Sequence, residues 1–263
     1  MTRNLFILFT FLSTSAFATG QASELIIYEG DTLQLTCEPL EQFLKEHEPR
    51  KKFYIMLENG CSTALWRGYV GLWKYQDEKL YLIDVYPCGD KTKSIKKLIF
   101  KEREDHILAD WYTGHLFIQK GKVIKYNHSG YDRIYEKEIV VNVEKGETKE
   151  IKTYDNGVKP DDNRFSRNPN HIMTKIYQSI NWSNIPRLSK DYKLYVSFQI
   201  GENGEMINTK IESEISNSYK DEIENVLKTF PPIQVLYSRG KSSNEGWTMK
   251  IVFSRHNKRK YAR

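Results

Sequence analysis

From Leu25 to about residue 155 one local pattern recurs: a short run of β-branched and aromatic residues, a charged turn containing Gly or Asp, then a second such run. Leu25–Tyr28 and Thr32–Leu35 flank Glu29-Gly30-Asp31, and Tyr69–Tyr75 and Leu80–Tyr86 flank Gln76-Asp77-Glu78-Lys79. Leu116–Gln119 and Val123–Tyr126 flank Lys120-Gly121-Lys122, and Ile139–Val143 and Lys149–Tyr154 flank Glu144-Lys145-Gly146-Glu147. Period-two runs put alternate side chains on opposite faces, and Gly or Asp accepts the turn dihedrals that join antiparallel neighbours. The spacing is irregular, which excludes a repeat protein. Residues 24–154 therefore read as a mainly antiparallel all-β domain, a meander-like sheet or small barrel, with an amphipathic helical turn or two over Pro39–Lys45.

The pattern changes after Asp155–Arg164, a run of turn formers without apolar periodicity that reads as a linker, 155–164. Ile172, Ile176 and Ile180 follow Asn168-Pro169-Asn170 at helical spacing. Leu194–Ile200 alternates, Glu202-Asn203-Gly204-Glu205 turns it, and Met206–Ile211 returns. A second helix carries Tyr219, Ile223, Val226, Leu227 and Phe230 on one stripe until Pro231-Pro232 stops it, and Trp247–Phe253 reads as a last strand. The expected fold is thus an α+β rear domain over 165–254 (helix, β-hairpin, helix, strand) behind the all-β front.

That rear segment resembles the C-terminal domain of TonB-type energy transducers. The likeness is carried by Leu194-Tyr-Val-Ser-Phe-Gln-Ile200, Glu202-Asn-Gly-Glu205, Ile207-Asn-Thr-Lys-Ile211, Leu227-Lys-Thr-Phe-Pro-Pro232 and Gly246-Trp-Thr-Met-Lys-Ile-Val-Phe253. It covers little more than a third of the chain, with strand-rich sequence where the family has a Pro-rich spacer. The resemblance implies a protein-binding module whose last strand offers a free edge to an extended segment of a partner, such as an outer-membrane receptor. That edge would be Trp247, Thr248, Met249, Lys250, Ile251, Val252 and Phe253, with Thr248, Lys250 and Val252 on one face. A link to transmembrane transport would follow.

Arg3, the apolar stretch Leu5–Phe11 and the Ala16-Phe17-Ala18 step read as a signal peptide over 1–18 and hence an exported, periplasmic protein of the cell envelope. A mean hydropathy of −0.62 and no apolar run of ~20 residues leave no integral membrane span in the mature chain. The formal charge of +6 is concentrated at one end. With Arg3 and the five bases of the basic tail 255–263 set aside, 34 bases face 34 acids, a balance that does not suit a nucleic acid as partner. The tail itself reads as an exposed solubilising end, with anionic lipid or polymer as the other reading.

Three cysteines, Cys37, Cys61 and Cys88, allow one intrachain bridge. Cys61 with Cys88 is the shortest closure, although a simple hairpin turning at Gln76–Lys79 puts Cys88 opposite Arg67. His115 and His128 flank one expected hairpin, but no third ligand accompanies them, so no metal and no cofactor are expected. Gly60-Cys61-Ser62 lacks an identifiable base, and Asp84, Asp105 and Asp110 form no evident pair; no catalytic residues are assigned and the chain does not read as an enzyme. Trp66, Tyr69, Trp73, Tyr75, Tyr81, Tyr86, Trp111 and Tyr112 suit either cross-strand packing, the favoured reading, or a sugar-stacking platform. The second functional class is accordingly a carbohydrate-binding or structural envelope protein.

Overall fold

The structure, a computed structural model, describes residues 20–47, 49, 53, 57, 62–100, 105–126, 130–213, 215–243 and 245–262. The leader 1–18 and Cys61 lie outside them. The chain divides into two compact units, Met1–Thr153 and Tyr154–Arg263.

In the front unit, β1 (Glu24–Tyr28) and β2 (Asp31–Leu35) form a hairpin around Glu29 and Gly30, whose φ values of 51° and 87° fit the right-handed twist of the strands they join. Helix α1 (Pro39–Glu46) follows with Pro39 in its first turn. Strands β3 (Tyr69–Gln76) and β4 (Lys79–Pro87) turn through Asp77 and Glu78, also at positive φ. β5 (Ile107–Leu108), β6 (Gly114–Tyr126), β7 (Arg133–Glu144) and β8 (Glu147–Asp155) complete the sheet.

Closure comes from pairings with no local signal in the sequence. β1 lies parallel to β3, with Ile26 beside Trp73, and β2 lies against β6, with Leu35 beside Ile118. β4 meets β8 at Lys79 and Glu147. The order β3-β1-β2-β6-β7-β8-β4, with β3 pairing β4, is a closed seven-strand barrel, and β5 continues the pairing of β4. Ile26, Leu35, Trp73, Leu82, Leu116, Ile118 and Val141 fill it, with Leu40 of α1 in the same cluster.

Two readings of the front change. Lys120-Gly121-Lys122 is not a hairpin turn: β6 runs through it for 13 residues against β7, and Gly121 at φ 85° sits where the register shifts. One glycine in a long strand makes a bulge as readily as a turn, and the continuing partner decides. In the second hairpin the register slips between Leu72 and Trp73, so Cys88 donates its N–H to the carbonyl of Gly68 at 2.9 Å, one residue from the expected Arg67.

The rear unit contains β9 (Gly157–Val158), α2 (Pro169–Ser179), β10 (Tyr192–Ile200), β11 (Met206–Glu212), α3 (Asn217–Lys228), β12 (Leu236–Ser238), β13 (Lys241–Ser242), β14 (Gly246–Phe253) and α4 (Arg255–Tyr261). These strands form two three-stranded sheets, β11-β10-β14 and β13-β12-β9. Ile172, Ile176, Leu194, Val196, Phe198, Ile223, Ile251 and Phe253 are buried in one core, and Asn168 caps α2 by accepting the N–H of Asn170 at 2.9 Å.

The fold-class expectation is therefore corrected. The protein is mostly β, 44% strand and 21% helix, with a closed barrel in front, and the rear is not an α+β domain of the TonB C-terminal type. The helical stripes and Pro stops drew attention to helices, whereas strands of two or three residues such as β9, β12 and β13 are too short for period-two patterning to show. The expected linker shows this most directly. Gly157 and Val158 pair with Tyr237 and Leu236, and Asp162 grips Arg164 at 2.7 Å while accepting the N–H of Val235 at 3.3 Å. Residues 155–164 are thus part of the rear unit's packing. The basic tail is likewise the helix α4, not a loose end.

Candidate functional site

The expected binding edge is β14. It pairs antiparallel with β10 along its whole length, from Gly246 beside Gln199 to Phe253 beside Tyr192, without a register shift. Met249, Ile251 and Phe253 point into the core, while Thr248 and Lys250 are exposed, Val252 half-buried and Trp247 half-buried against Phe198 at 6.2 Å between ring centres. β14 ends the sheet order, so its far side has no strand partner among the described residues.

Which backbone groups face that side follows from one hydrogen bond. The N–H of Val252 donates to the Tyr177 hydroxyl at 2.8 Å, so Val252 faces away from β10. In an unbroken antiparallel ladder that property alternates, so Lys250, Thr248 and Gly246 face away as well. Asn257 covers the carbonyl of Val252 with its Nδ2 at 2.8 Å. The carboxyl end of the edge is thus sealed by α2 and α4 side chains, while no hydrogen bond among the described residues reaches the outward N–H and C=O of Thr248 and Lys250. The opposite edge, β11, is bent by a register shift and by Asn208 at φ 52°, which blunts it as a template.

The front unit holds a feature the sequence reading missed. Glu24, in β1, is fully buried, and the Trp73 indole N–H donates to its Oε2. The Arg67 guanidinium lies 3.6 Å from Glu24 Oε1, donates to Glu38 at 3.2 Å, to the Tyr131 hydroxyl at 2.7 Å and to the carbonyl of Ala22 at 3.0 Å. Burial raises the Glu24 carboxyl from 4.5 to about 7, against the opposing pull of Arg67 and the Trp73 hydrogen bond. Gly71 leaves the space for this contact: a Cβ there would stand 2.6 Å from Trp73 Nε1 and 2.8 Å from Glu24 Oε2.

Arg67 also lines a cavity of about 490 Å³ together with Glu41, Lys45, Trp66 and Tyr69; the Tyr69 hydroxyl donates to Glu41 at 2.7 Å. Trp66 is 70% exposed. A carboxylate at the head of an unbroken apolar run, Glu24-Leu25-Ile26-Ile27, and an arginine ahead of a strand were the only signals of this network, and neither says that the two would be buried together.

The other singled-out residues separate. Tyr69, Trp73 and Tyr112 are core, and Trp111 donates to the Pro39 carbonyl at 3.1 Å and packs on Phe43 and Phe100. Asp84 accepts the Val85 N–H at 2.8 Å and the Ser94 hydroxyl at 2.5 Å, which fixes a local turn. His115 stands opposite Asn142, and His128 lies outside the described residues; among the described residues no group of three or more metal-binding side chains is present. Cys88 is disulfide-bonded and Cys37 is free, its thiol pushed by burial up to about 12 and so unreactive at neutral pH. No described helix is long and apolar enough to cross a membrane. No protein-family model, curated protein or solved structure matches the chain.

Proposed function

We propose that the protein is an exported cell-envelope module that binds another protein by adding a strand of it to β14. The observation that carries this reading is the outward backbone of Thr248 and Lys250, which no hydrogen bond among the described residues reaches, on an edge strand paired without a break along its other side. Main-chain hydrogen bonds to such an edge give affinity that depends little on sequence, and the flanking side chains give the preference. Lys250 and Lys193 are exposed on the face that the visitor would share, so an extended segment with acidic side chains fits best. The leader supports the exported compartment.

Two measurements test it. Amide exchange at Thr248 and Lys250 should be fast in the free protein and slow when the envelope fraction's captured partner is bound. Lys250→Pro, which removes an outward donor and inserts a ring into the docking path, should abolish capture. Capture undiminished by that change, or exchange at these two amides unaltered in the complex, removes the reading.

Trp66 favours a second reading, carbohydrate binding at the barrel, because a largely exposed indole beside a cavity that mixes charged groups (Glu41, Lys45, Arg67) with apolar walls (Leu44, Phe53, Leu57) suits a sugar face. Loss of glycan or peptidoglycan pull-down in Trp66→Ala, with β14 intact, would favour it over strand addition.

A further inference from the structure

The charge of this protein is gathered in its last residues, and the fold gives those residues a definite place. Ser254 caps α4 by accepting the N–H of Asn257 at 3.0 Å, and Tyr261 stacks on Tyr177 with ring centres 5.1 Å apart and planes 12° apart. The helix is therefore fixed to α2 at one end and continuous with β14 at the other. Between it and the segment that follows Trp182 lies an open cleft of about 780 Å³ lined by Arg187, Leu188, Arg255, Lys258, Arg259 and Ala262. Four of these six residues are cations and none is an acid.

Two of the cations are held in place. Arg255 Nε donates to the Leu188 carbonyl at 2.9 Å, which leaves its terminal nitrogens for the cleft, and Lys258 Nζ donates to the Trp182 carbonyl at 2.8 Å with two further N–H groups to spare. Arg187 and Arg259 are exposed and make no ion pair or hydrogen bond among the described residues. Cations in the last turn of a helix complement its dipole, which accounts for Lys258 and Arg259. It does not account for Arg255 at the opposite end, where a positive charge is disfavoured, or for Arg187 from another segment. Four like charges line the cleft with no acid among its lining residues, Asp191 standing with Arg255 only in a smaller adjoining pocket; they repel one another, and an anion between them would relieve that repulsion.

We infer that this cleft is a binding site for a phosphate-bearing anion, held by the guanidinium forks of Arg187, Arg255 and Arg259 and the Lys258 ammonium. Planar forks match tetrahedral oxyanions through paired N–H donors, and the anchoring of Arg255 and Lys258 means that little side-chain freedom is lost on binding. Leu188 and Ala262 add an apolar wall, so the phosphate of a lipid headgroup and a free phosphate compound share the chemistry that the site recognises.

The test compares the whole protein with Arg187→Gln/Arg259→Gln and with a charge-matched control, Lys210→Gln/Lys241→Gln, whose exposed lysines do not line the cleft. Probes are inorganic pyrophosphate in calorimetry and sedimentation with phosphatidylcholine vesicles carrying or lacking phosphatidylglycerol. The wild type and the control pair should bind at least one probe, and the cleft pair should bind it about tenfold more weakly or worse with an unchanged melting temperature. Binding confined to phosphatidylglycerol vesicles assigns the site to a lipid headgroup, and binding of pyrophosphate alone assigns it to a soluble phosphate. No binding by the wild type, or equal losses in both double variants, overturns the inference.

Discussion

The two units solve the same problem, the unpaired backbone of a sheet, in opposite ways. The front strands close on themselves, so β3 finds both β1 and β4 and no seven-strand edge remains. The rear strands stay in two open sheets, and their ends are managed one by one: a bulge on β11, a tyrosine hydroxyl and an asparagine on the carboxyl end of β14, and no hydrogen bond among the described residues on the outward backbone of Thr248 and Lys250. Closure wraps a core tightly enough to bury an ion pair, Glu24 with Arg67, whereas the rear buries single carboxylates such as Glu222 of α3 but leaves main chain available along β14. If this contrast is right, the front should be sensitive to charge and volume and the rear edge to neither.

The largest effect should come from removing one member of the buried pair. Arg67→Met takes away four partners at once and should cost about 3–5 kcal/mol in urea unfolding of the front unit. Because Glu24 can keep its proton, the loss should be smaller in mild acid and grow as pH rises through about 7. A loss that does not change with pH would show that Arg67 acts through Glu38 and Tyr131 alone.

Next is the pH dependence of the wild type. The unfolded Glu24 carboxyl gives up its proton near 4.5 and the folded one only near 7, so between these values the folded state holds the extra proton. The stabilisation from this group is whole below 4.5 and is lost as pH rises through about 7, a change of about 3 kcal/mol. Glu24→Gln should remove that slope while keeping a hydrogen-bonding group beside Trp73. An unaltered stability profile in this variant would place the titrating group elsewhere.

A smaller effect tests the volume side of the contrast. Gly71→Ala would drive a methyl group between Glu24 and Trp73 and should destabilise the barrel by about 1–3 kcal/mol, with quenched or shifted Trp73 fluorescence as a second readout.

The turns of the front were legible because their chemistry is local. Glu29-Gly30, Asp77-Glu78 and Lys145-Gly146 all adopt positive φ between runs that alternate, and any reading of turn formers would find them. The barrel was not legible, since it is made by β1 beside β3 and β2 beside β6, partners tens of residues apart whose pairing no single segment encodes. In the rear, Pro169, the isoleucine stripe and Pro231-Pro232 marked the helices α2 and α3, but β9 inside an apparent linker pairs with β12 through only two residues and left no such signal. Glu24 and Arg67 escaped notice because a buried charge looks in sequence like any surface charge. The cleft beside α4 was visible as a count of bases, but its arrangement depends on Arg187, which lies 68 positions before the helix begins at Arg255.

The smallest expected effect on stability is the one that matters most for function. Proline usually breaks a strand because it removes a donor that the neighbouring strand needs. At Lys250 the donor faces away from β10, so Lys250→Pro takes no bond out of the β10–β14 ladder, and its cost should stay near 1 kcal/mol or below. Ile251→Pro, one residue along, removes a ladder bond and disturbs a fully buried side chain; it should cost 3 kcal/mol or more, about the penalty for proline in an unsuitable position. Thermal unfolding of the two variants reads this alternation directly. A stable Lys250→Pro beside a crippled Ile251→Pro would fix which way the backbone of β14 faces, and any loss of partner binding in the stable variant would then belong to the open edge and not to damage of the sheet. The reverse order would mean that the outward groups are those of Ile251 and Met249, and the docking register would shift by one residue.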